Sequence, residues 1–237
     1  MKTDIHSHLL PSIDDGCKDI DDSLKALDQA KKAGVRNIIC TPHVNCYKKQ
    51  DKEKIHELYE RLKIEANKRN INLFLGNEVL LTNDMIELLK QDMVFSLADT
   101  KYLLVEFKRN ENRPFEDIVS LLDEVIDLGY KVILAHPEYY SNYRSISKMK
   151  ILKQQGILLQ MDATSILRKY HSRQVVHFTK KLLKEKLIDF ISSDIHQTEE
   201  RNYKNYLRCY RKMKRRYGKK QVTKLFENDS IIEEKLS

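Results

Sequence analysis

Side chains that bind metal ions stand at the ends of several short apolar segments of this 237-residue chain. His6 and His8 are separated by one residue, so on an extended segment both imidazoles point to one face and can reach one ion. Glu78 and Glu106 close the apolar runs NLFLGNE and YLLVE, where burial of an unpaired carboxylate would be costly. The full set of such positions is Asp4, His6, His8, His43, Glu78, Glu106, His136, Asp194 and His196.

Each of these motifs taken alone has a second interpretation. Asp14-Asp15-Gly16 is typical of a turn with an Asx hydrogen bond, and a histidine after an apolar strand is commonly a core or rim residue. The combined pattern favours a cluster for two or three ions in which one carboxylate bridges. Because the set contains no cysteine, it suits Mn, Fe, Zn or Mg rather than a thiolate zinc site. Such clusters commonly catalyse hydrolysis.

The segments that must position these side chains alternate between β-rich and helical patterns. The β-rich runs are 2–6, 37–41, 72–78, 102–107, 131–136, 157–162 and 187–194. Helical spacing covers 21–33, 51–70, 83–91, 115–128, 147–155 and 172–186. Gly34, Gly129 and Gly156 each follow a predicted helix, where glycine is a common C-cap.

Strands that alternate with helices predict a parallel sheet in an α/β fold. Seven such units without a Gly- or Ser-rich linker favour one closed or nearly closed β/α barrel, with a doubly wound open sheet as the alternative. In a barrel the carboxyl ends of all strands meet at one rim, which would bring the metal-binding side chains together. We expect residues 1–237 to form a single domain, with 199–237 adding two or three C-terminal helices.

The net charge of +8 has one source in the sequence. Residues 201–220 contain ten basic residues and no acidic residue, although the whole chain has 43 Lys and Arg against 35 Asp and Glu. This segment indicates either a local anionic partner or a solvated helix face. A non-enzymatic nucleic-acid-binding protein that uses the interleaved tyrosines for stacking is a less favoured alternative.

The composition predicts a cytoplasmic protein without membrane insertion. No run approaches the about 18 apolar residues of a membrane span, and the first residues, MKTDIHSHLLPS, lack the apolar core of a signal peptide. Cys17, Cys40, Cys46 and Cys209 include no C-x-x-C pair, so we expect reduced thiols. No pattern indicates the oligomeric state.

Six motifs, in order along the chain, resemble the polymerase-and-histidinol-phosphatase (PHP) superfamily. They are Asp4-Ile5-His6-Ser7-His8 with Asp14-Asp15-Gly16, Thr41-Pro42-His43, Gly76-Asn77-Glu78, Leu104-Val105-Glu106-Phe107, Leu134-Ala135-His136-Pro137-Glu138 and Ile191-Ser192-Ser193-Asp194-Ile195-His196. Within the superfamily, their order and spacing look like the bacterial manganese-dependent protein-tyrosine phosphatases of capsular and exopolysaccharide synthesis. The resemblance extends from residue 3 to about residue 201.

The resemblance implies a distorted (β/α)7 barrel with three metal ions, typically Mn²⁺, at the carboxyl ends of the strands. The implied ligands are His6, His8, Glu78 and Asp194 for the first ion, Glu78, Glu106 and His136 for the second, and Asp15, His43 and His196 for the third. Glu78 would bridge two ions. The implied substrate is a phosphotyrosine on the tail of a tyrosine kinase of polysaccharide synthesis, with water activated by the ions as the nucleophile.

Family members hold the phosphate with two arginines, and this sequence matches one of them. Arg201 corresponds to the arginine that follows the DxH motif, whereas Tyr139 stands where the AHPER motif has its arginine. We expect Arg144 to take the place of the missing phosphate ligand, ahead of Arg109 and Arg113. Charge-assisted hydrogen bonds from such arginines would hold the phosphate oxygens.

Three further expectations concern the chemistry. By position, His43 and Asp194 are candidate general acids, although a phenolate with a pKa of about 10 leaves readily. Related barrels act on a small phosphate ester, such as histidinol phosphate, or on a nucleic-acid 3′ end, so both remain alternative substrates. Cys209 and Arg215 fit the C-x5-R spacing of cysteine phosphatases, but the residues between them predict a basic helix rather than a phosphate-binding loop.

Overall fold

The computed structural model describes residues 2–45, 51–197 and 199–236, in which strands and helices alternate. The strands are β1 (Lys2–Ser7), β2 (Val35–Cys40), β3 (His43–Val44), β4 (Asn72–Leu75), β5 (Glu78–Leu80), β6 (Tyr102–Glu106), β7 (Lys131–Ala135), β8 (Leu158–Asp162) and β9 (Phe190–Ser192). The helices are α1 (Ile20–Ala33), α2 (Lys52–Asn67), α3 (Asn83–Lys90), α4 (Phe115–Asp127), α5 (Ile146–Gln154), α6 (Arg173–Lys184), α7 (Tyr203–Tyr217), α8 (Lys219–Phe226) and α9 (Ser230–Leu236). The predicted elements are present, although the last predicted strand is shorter than expected.

Helix α1 shows why the sequence signals for these helices were reliable. The Asp19 carboxylate accepts a hydrogen bond from the backbone N–H of Asp22 at 2.9 Å, which caps the first turn. Gly34 ends the helix with a φ of +75°, in the left-handed region that favours glycine. Between these caps the helix buries Leu27 and Ala30 in the main apolar core.

The strands form two parallel sheets. One has the order β1-β2-β4 and the other has the order β3-β5-β6-β7-β8-β9, and every strand pair in both is parallel. Most strand residues are buried, as expected when helices cover a parallel sheet. The predicted α/β class is therefore confirmed.

Two breaks separate the sheets, one just after the predicted strand 37–41 and one inside the predicted strand 72–78. Pro42, which has no N–H to donate to a ladder, lies between β2 and β3, and Gly76-Asn77 lies between β4 and β5. The Pro42 carbonyl accepts hydrogen bonds from the Asn77 side chain at 2.9 Å and from the Glu78 backbone at 3.3 Å. As a result, His43 and Glu78 begin short strands and are paired directly with each other.

The two sheets meet where β1 adjoins the chain that follows β9. Ser7 forms a parallel bridge with Ile195, the His8 N–H donates to the Ile195 carbonyl at 3.1 Å, and the Asp194 N–H donates to the His6 carbonyl at 3.0 Å. Within the described residues these contacts do not make one continuous ladder, and no closed barrel is detected. The breaks at Pro42 and Gly76 explain the division, because the strands change partners there.

The C-terminal helices expected from the sequence are present as α7, α8 and α9. Tyr203 and Tyr206 of α7 are fully buried, and the Tyr203 hydroxyl donates to the Asp4 carboxylate of β1 at 2.7 Å. Ile231 of α9 joins a second apolar cluster together with residues of β1 and β2. In the described part of the chain, no helix has both the length and the apolar character needed to cross a membrane.

The cysteines whose structure is described are packing residues. Cys17, Cys40 and Cys209 are free and buried, and burial raises the pKa of Cys17 and of Cys209 to about 12. Thiols with such pKa values are poor nucleophiles at neutral pH. Cys46 lies outside the described residues.

Candidate metal centre

The carboxyl ends of the strands carry one cluster of imidazoles and carboxylates. It contains His6, His8, Asp15, His43, Glu78, Glu106, His136, Asp194 and His196. These residues form four overlapping groups, and in each group the candidate ligand atoms lie within 4.8 Å of one another. The structure thus brings together all nine positions that the family resemblance implies as ligands. Asp4 is not part of the cluster, because its carboxylate accepts hydrogen bonds from Ser193 and Tyr203 instead.

The deepest part of the cluster consists of four fully buried side chains. The Nε2 atom of His6 lies 3.0 Å from Glu78 Oε2 and 3.4 Å from Asp194 Oδ1. The Nε2 atom of His8 lies 3.2 Å and 3.4 Å from the same two oxygens. Two imidazoles therefore converge on one pair of carboxylates.

Glu78 also contacts two further imidazoles. Its Oε1 lies 2.8 Å from His136 Nε2, and its Oε2 lies 3.0 Å from His43 Nδ1. Glu106 faces the same two rings, with distances of 3.3 Å to His43 Nδ1 and 3.7 Å to His136 Nε2. Because Oε1 faces His136 while Oε2 faces the other imidazoles, the two oxygens point to different groups, and this carboxylate has the position of a bridging ligand.

The outer part of the cluster faces solvent. Asp15 Oδ1 lies 3.3 Å from the Nε2 atoms of both His43 and His196. Asp15 is exposed, whereas His196 is buried. The ring of His8 lies 4.4 Å from that of His43 and 4.3 Å from that of His196, measured between centroids. The outer group is therefore continuous with the buried one.

Polar side chains behind the cluster orient two of the inner imidazoles. His8 Nδ1 lies 2.7 Å from the Asp14 carboxylate, and His6 Nδ1 lies 3.1 Å from Gln160 Oε1. Both partners can accept a proton from Nδ1, which would leave each Nε2 available to bind an ion. The two Nε2 atoms are 3.2 Å apart. Two imidazole nitrogens this close, both facing the carboxylates of Glu78 and Asp194, form an arrangement that fits metal binding.

The electrostatics of Glu78 also fit a cation site. Burial alone would raise the pKa of Glu78, but the imidazoles of His6, His136 and His43 outweigh burial and hold that pKa well below its usual range. Glu78 Oε2 is buried, and its neighbours within 3.0–3.2 Å in the described residues are imidazole nitrogens that do not make a well-aligned hydrogen bond to it. A buried carboxylate in this state requires positive charge nearby, and nitrogen and oxygen donors suit Mn, Fe, Zn or Mg.

The backbone around the cluster adopts conformations that are uncommon for residues with side chains. His136 has a φ of +34° and directly follows β7, and Asp194 has a φ of +48° and lies two residues after β9. Such strain is frequent at functional sites. A Cβ at Gly16 would lie 2.2 Å from the His8 carbonyl oxygen, so only glycine lets the loop that carries Asp15 lie against this segment.

A groove of about 560 Å³ opens beside the outer part of the cluster, and we call it the entrance groove. Its lining residues are Asp15, Arg109, Tyr139, Tyr170, His171, His196, Glu199, Glu200 and Arg201. Arg201 Nη1 lies 2.9 Å from Asp194 Oδ2 and 3.3 Å from His196 Nδ1. Arg201 therefore connects the groove to the cluster.

Tyr139 lies in the entrance groove beside a second cation. The guanidinium carbon of Arg109 is 4.8 Å from the centre of the Tyr139 ring, a cation–π contact. The same ring stacks on His171, with a centroid distance of 5.5 Å and an interplanar angle of 30°. Among the described lining residues, neither Arg144 nor Arg113 is present. The structure thus brings Arg109, and not Arg144, into this groove.

Sequence reasoning missed the polar residues that support the cluster. Asp14 was interpreted as a turn residue, yet it both forms the turn and holds His8. Gln160 and Asp162 lie in β8, where Gln160 contacts His6 and Asp162 lies 3.9 Å from the Arg201 guanidinium. The one available signal was two polar residues at alternate positions of the apolar strand LLQMD, which places them on one face.

The fold and the cluster together define a parallel α/β protein with a candidate multinuclear metal centre. Comparison with known proteins identifies its family, because the family model described as "Capsular polysaccharide synthesis, CpsB/CapC" matches residues 2–232. The tyrosine-protein phosphatase CpsB of Streptococcus agalactiae serotype III is 31% identical over 238 residues, which cover 97% of each chain. The tyrosine-protein phosphatase YwqE of Bacillus subtilis is 30% identical, with 97% of this chain and 90% of that protein covered.

A solved structure agrees with these sequence relatives. It is described as one of YwqE from Bacillus subtilis and CpsB from Streptococcus pneumoniae, metal-dependent tyrosine phosphatases. The match has a TM-score of 0.84 and 28% identity, and covers 98% of this chain and 94% of the other. This chain belongs to the CpsB/CapC family.

Proposed function

We propose that this chain is a metal-dependent protein-tyrosine phosphatase. The observation that carries the proposal is the cluster centred on Glu78, which joins imidazoles and carboxylates from six different strands or strand ends beside a groove that contains Arg201. Family membership supports it, because the named relatives are tyrosine-protein phosphatases. A phosphate monoester carries concentrated negative charge, and this site can supply cations next to an arginine.

We assign three metal positions, with Mn²⁺ as the proposed ion. The proposed ligands are His6, His8, Glu78 and Asp194 for the first, Glu78, Glu106 and His136 for the second, and Asp15, His43 and His196 for the third. Bound ions would neutralise phosphate charge and lower the pKa of a water molecule toward ~7. We also propose that residues 1–237 form one domain whose two sheets act as a single distorted (β/α)7 barrel around this centre.

Two arginines would hold the phosphate. Arg201 is anchored by Asp194 at 2.9 Å, so its guanidinium is held in place before substrate arrives. Arg109 is the second cation of the entrance groove and rests on the Tyr139 ring. We propose Arg109 for the role expected of Arg144, since Arg144 does not line the described groove.

The leaving group needs little assistance from the protein. His43 and Asp194 were expected to donate a proton by position, but the atom that binds an ion is not free to carry the donated proton. A tyrosine phenolate, with a pKa of about 10, is a tolerable leaving group without a general acid. The phosphotyrosine-bearing substrate that we propose is the tail of a tyrosine kinase of polysaccharide synthesis, and we place the reaction in the cytoplasm.

A substrate comparison on the Mn²⁺-loaded protein tests this proposal. We expect kcat/KM for a phosphotyrosine peptide to exceed that for the matched phosphoserine peptide and for histidinol phosphate by at least about tenfold. A chelator should abolish turnover and Mn²⁺ should restore it. A preference for histidinol phosphate, or full activity in the chelator, would overturn the proposal.

A further inference from the structure

Helix α7 presents a face made of cations. The residues that line a groove of about 600 Å³ there, which we call the basic groove, are Lys204, Arg208, Arg211, Lys212, Arg215 and Arg216. All six are exposed, and their spacing of three, four and one residues puts them on one side of the helix. In the described part of the chain, none of the six forms an ion pair with a carboxylate.

The basic groove begins next to the entrance groove. Asn205, which lies between Lys204 and Arg208 in the sequence, donates to the Glu199 carbonyl at 2.8 Å and to the Tyr170 hydroxyl at 3.3 Å. Glu199 and Tyr170 both line the entrance groove. The first turn of α7, where the basic groove begins, is therefore bonded directly to the wall of the entrance groove.

The carboxylates at this junction already have partners of their own. Lys169 binds Glu199 and His171 lies 2.9 Å from Glu200. The Glu199 charge is therefore compensated by Lys169, and the Glu200 carboxylate contacts His171 rather than a cation of the basic groove. An incoming acidic chain would meet a net positive surface from Lys204 onward.

We propose that the basic groove binds an acidic segment of the protein substrate, next to its phosphotyrosine in sequence; this inference rests on the proposed function. Lys204 and Arg216 are twelve residues apart, so the groove is about 18 Å long at about 1.5 Å per helical residue. An extended peptide rises about 3.3 Å per residue. The groove therefore matches about five or six residues of substrate.

Other anionic partners fit this surface less well. Tyr203 and Tyr206 are fully buried, and Tyr210 packs edge-on against Phe226, so these rings are not a stacking platform for nucleic-acid bases. A membrane-binding helix usually places apolar side chains beside its cations. The exposed large apolar residues of the described chain lie outside α7, at Ile20, Ile64, Leu128 and Ile151.

The test compares two triple variants of the Mn²⁺-loaded protein. Arg208→Gln, Arg211→Gln and Arg215→Gln together remove three charges from the basic groove. The control variant removes three charges from exposed lysines on the last turns of α1 and α6, with Lys31→Gln, Lys181→Gln and Lys184→Gln. Substrates are a phosphotyrosine peptide flanked by five glutamates, the same peptide flanked by glutamines, and p-nitrophenyl phosphate.

We expect the groove variant to lose about tenfold in kcat/KM on the acidic peptide at low salt, because surface charge acts mainly on association. The loss should shrink at 0.5 M NaCl, where the Debye length is only a few ångströms. The glutamine peptide and p-nitrophenyl phosphate should be hydrolysed as by the wild type, and the control variant should behave as the wild type on all three substrates.

Binding of the unphosphorylated acidic peptide, measured by fluorescence anisotropy, separates this inference from the proposed function. If the wild type binds this peptide and the groove variant does not, but the wild type has no phosphatase activity, docking is supported and the proposed function is overturned. If the wild type hydrolyses the glutamate-flanked and the glutamine-flanked phosphopeptides with equal kcat/KM and does not bind the unphosphorylated peptide, the docking inference alone is overturned. Loss of binding only to poly(U) or to phosphatidylserine vesicles would overturn it in favour of those partners.

Discussion

The Glu78 carboxylate contacts four imidazoles, more than any other carboxylate of the candidate centre. We predict that Glu78→Gln abolishes turnover and lowers bound Mn²⁺ by more than one equivalent, because a bridging carboxylate serves two ions. His136→Ala, the matched variant at a position assigned to one ion, should lower it by about one equivalent. Metal analysis after gel filtration measures both. If Glu78→Gln kept the full metal content and at least a tenth of the wild-type activity, this would contradict the assignment of Glu78 as the bridging ligand.

Arg201 contacts the centre and the entrance groove at the same time. We predict that Arg201→Ala raises KM and lowers kcat for any phosphomonoester, because a charge-assisted hydrogen bond contributes about 1.5–3 kcal/mol. The loss in kcat/KM should be about tenfold or more. Steady-state kinetics on p-nitrophenyl phosphate measure this. Unchanged kinetics would mean that other groups hold the phosphate.

Arg109 and Arg144 are competing candidates for the second arginine of the proposed phosphate site. Replacing each of them by glutamine distinguishes the two. We predict that Arg109→Gln weakens inhibition by inorganic phosphate about tenfold, since it removes a cation from the entrance groove. Arg144→Gln should leave that inhibition unchanged. The inhibition constant of the Mn²⁺-loaded protein is the measurement, and the reverse outcome would restore the expectation for Arg144.

The strand pattern determines which ligands of this centre could be predicted from the sequence. His136, Glu106 and Asp194 each end or follow an apolar run, and that pattern is local, so their convergence could be predicted once a parallel arrangement was inferred. The breaks at Pro42 and Gly76 could not be predicted in the same way. Both residues are visible, but whether a strand breaks or bulges there depends on which strands it pairs with.

The supporting residues were harder to predict than the ligands. Gln160 is separated from its partner His6 by most of the chain, and a single glutamine in a strand gives no signal of which imidazole it faces. Arg109 follows β6 on a loop, and the direction of a long side chain from a loop is set by tertiary packing, here against Tyr139. Local patterns identify chemistry at strand ends but not its long-range partners.

The position of Cys209 on helix α7 argues against a mechanism in which this cysteine attacks the phosphate. Cys209 is fully buried on this helix, and burial raises the pKa of its thiol to about 12. We predict that Cys209→Ser leaves kcat/KM within about twofold and lowers the melting temperature, because a hydroxyl would replace a thiol in an apolar contact. Activity assays and thermal unfolding measure the two effects. A large loss of activity without loss of stability would revive the cysteine mechanism.

The contacts of strand β1 predict that folding and metal binding are coupled at the scale of the molecule. Strand β1 carries His6, pairs with β2, bridges to Ile195 after β9, and is bound by Tyr203 of α7 through Asp4. The centre therefore closes contacts between the first and last parts of the described chain. Ions bound there would stabilise the folded state by mass action, since an unfolded chain does not hold the ligands together.

This coupling predicts how the effect of Mn²⁺ on stability changes with pH. Burial would lower the pKa of His136, but its hydrogen bond and charge interaction with Glu78 raise it to about 9 in the metal-free protein. With a folded pKa above the unfolded value of about 6.5, protonated His136 stabilises the metal-free fold fully below pH ~6.5, and this contribution is lost as the pH rises through ~9. Mn²⁺ needs the neutral imidazole, so its binding strengthens over the same range.

We therefore predict that the increase in melting temperature caused by Mn²⁺, relative to protein in EDTA, grows from pH 6.5 to pH 8.5. Differential scanning calorimetry at a fixed Mn²⁺ concentration measures this difference. In His136→Ala the increase should be smaller and should depend less on pH, because one of the groups that exchanges a proton for an ion is gone. An increase that stays constant or falls with pH in the wild type would mean that Mn²⁺ binds without displacing protons, and hence not through these imidazoles.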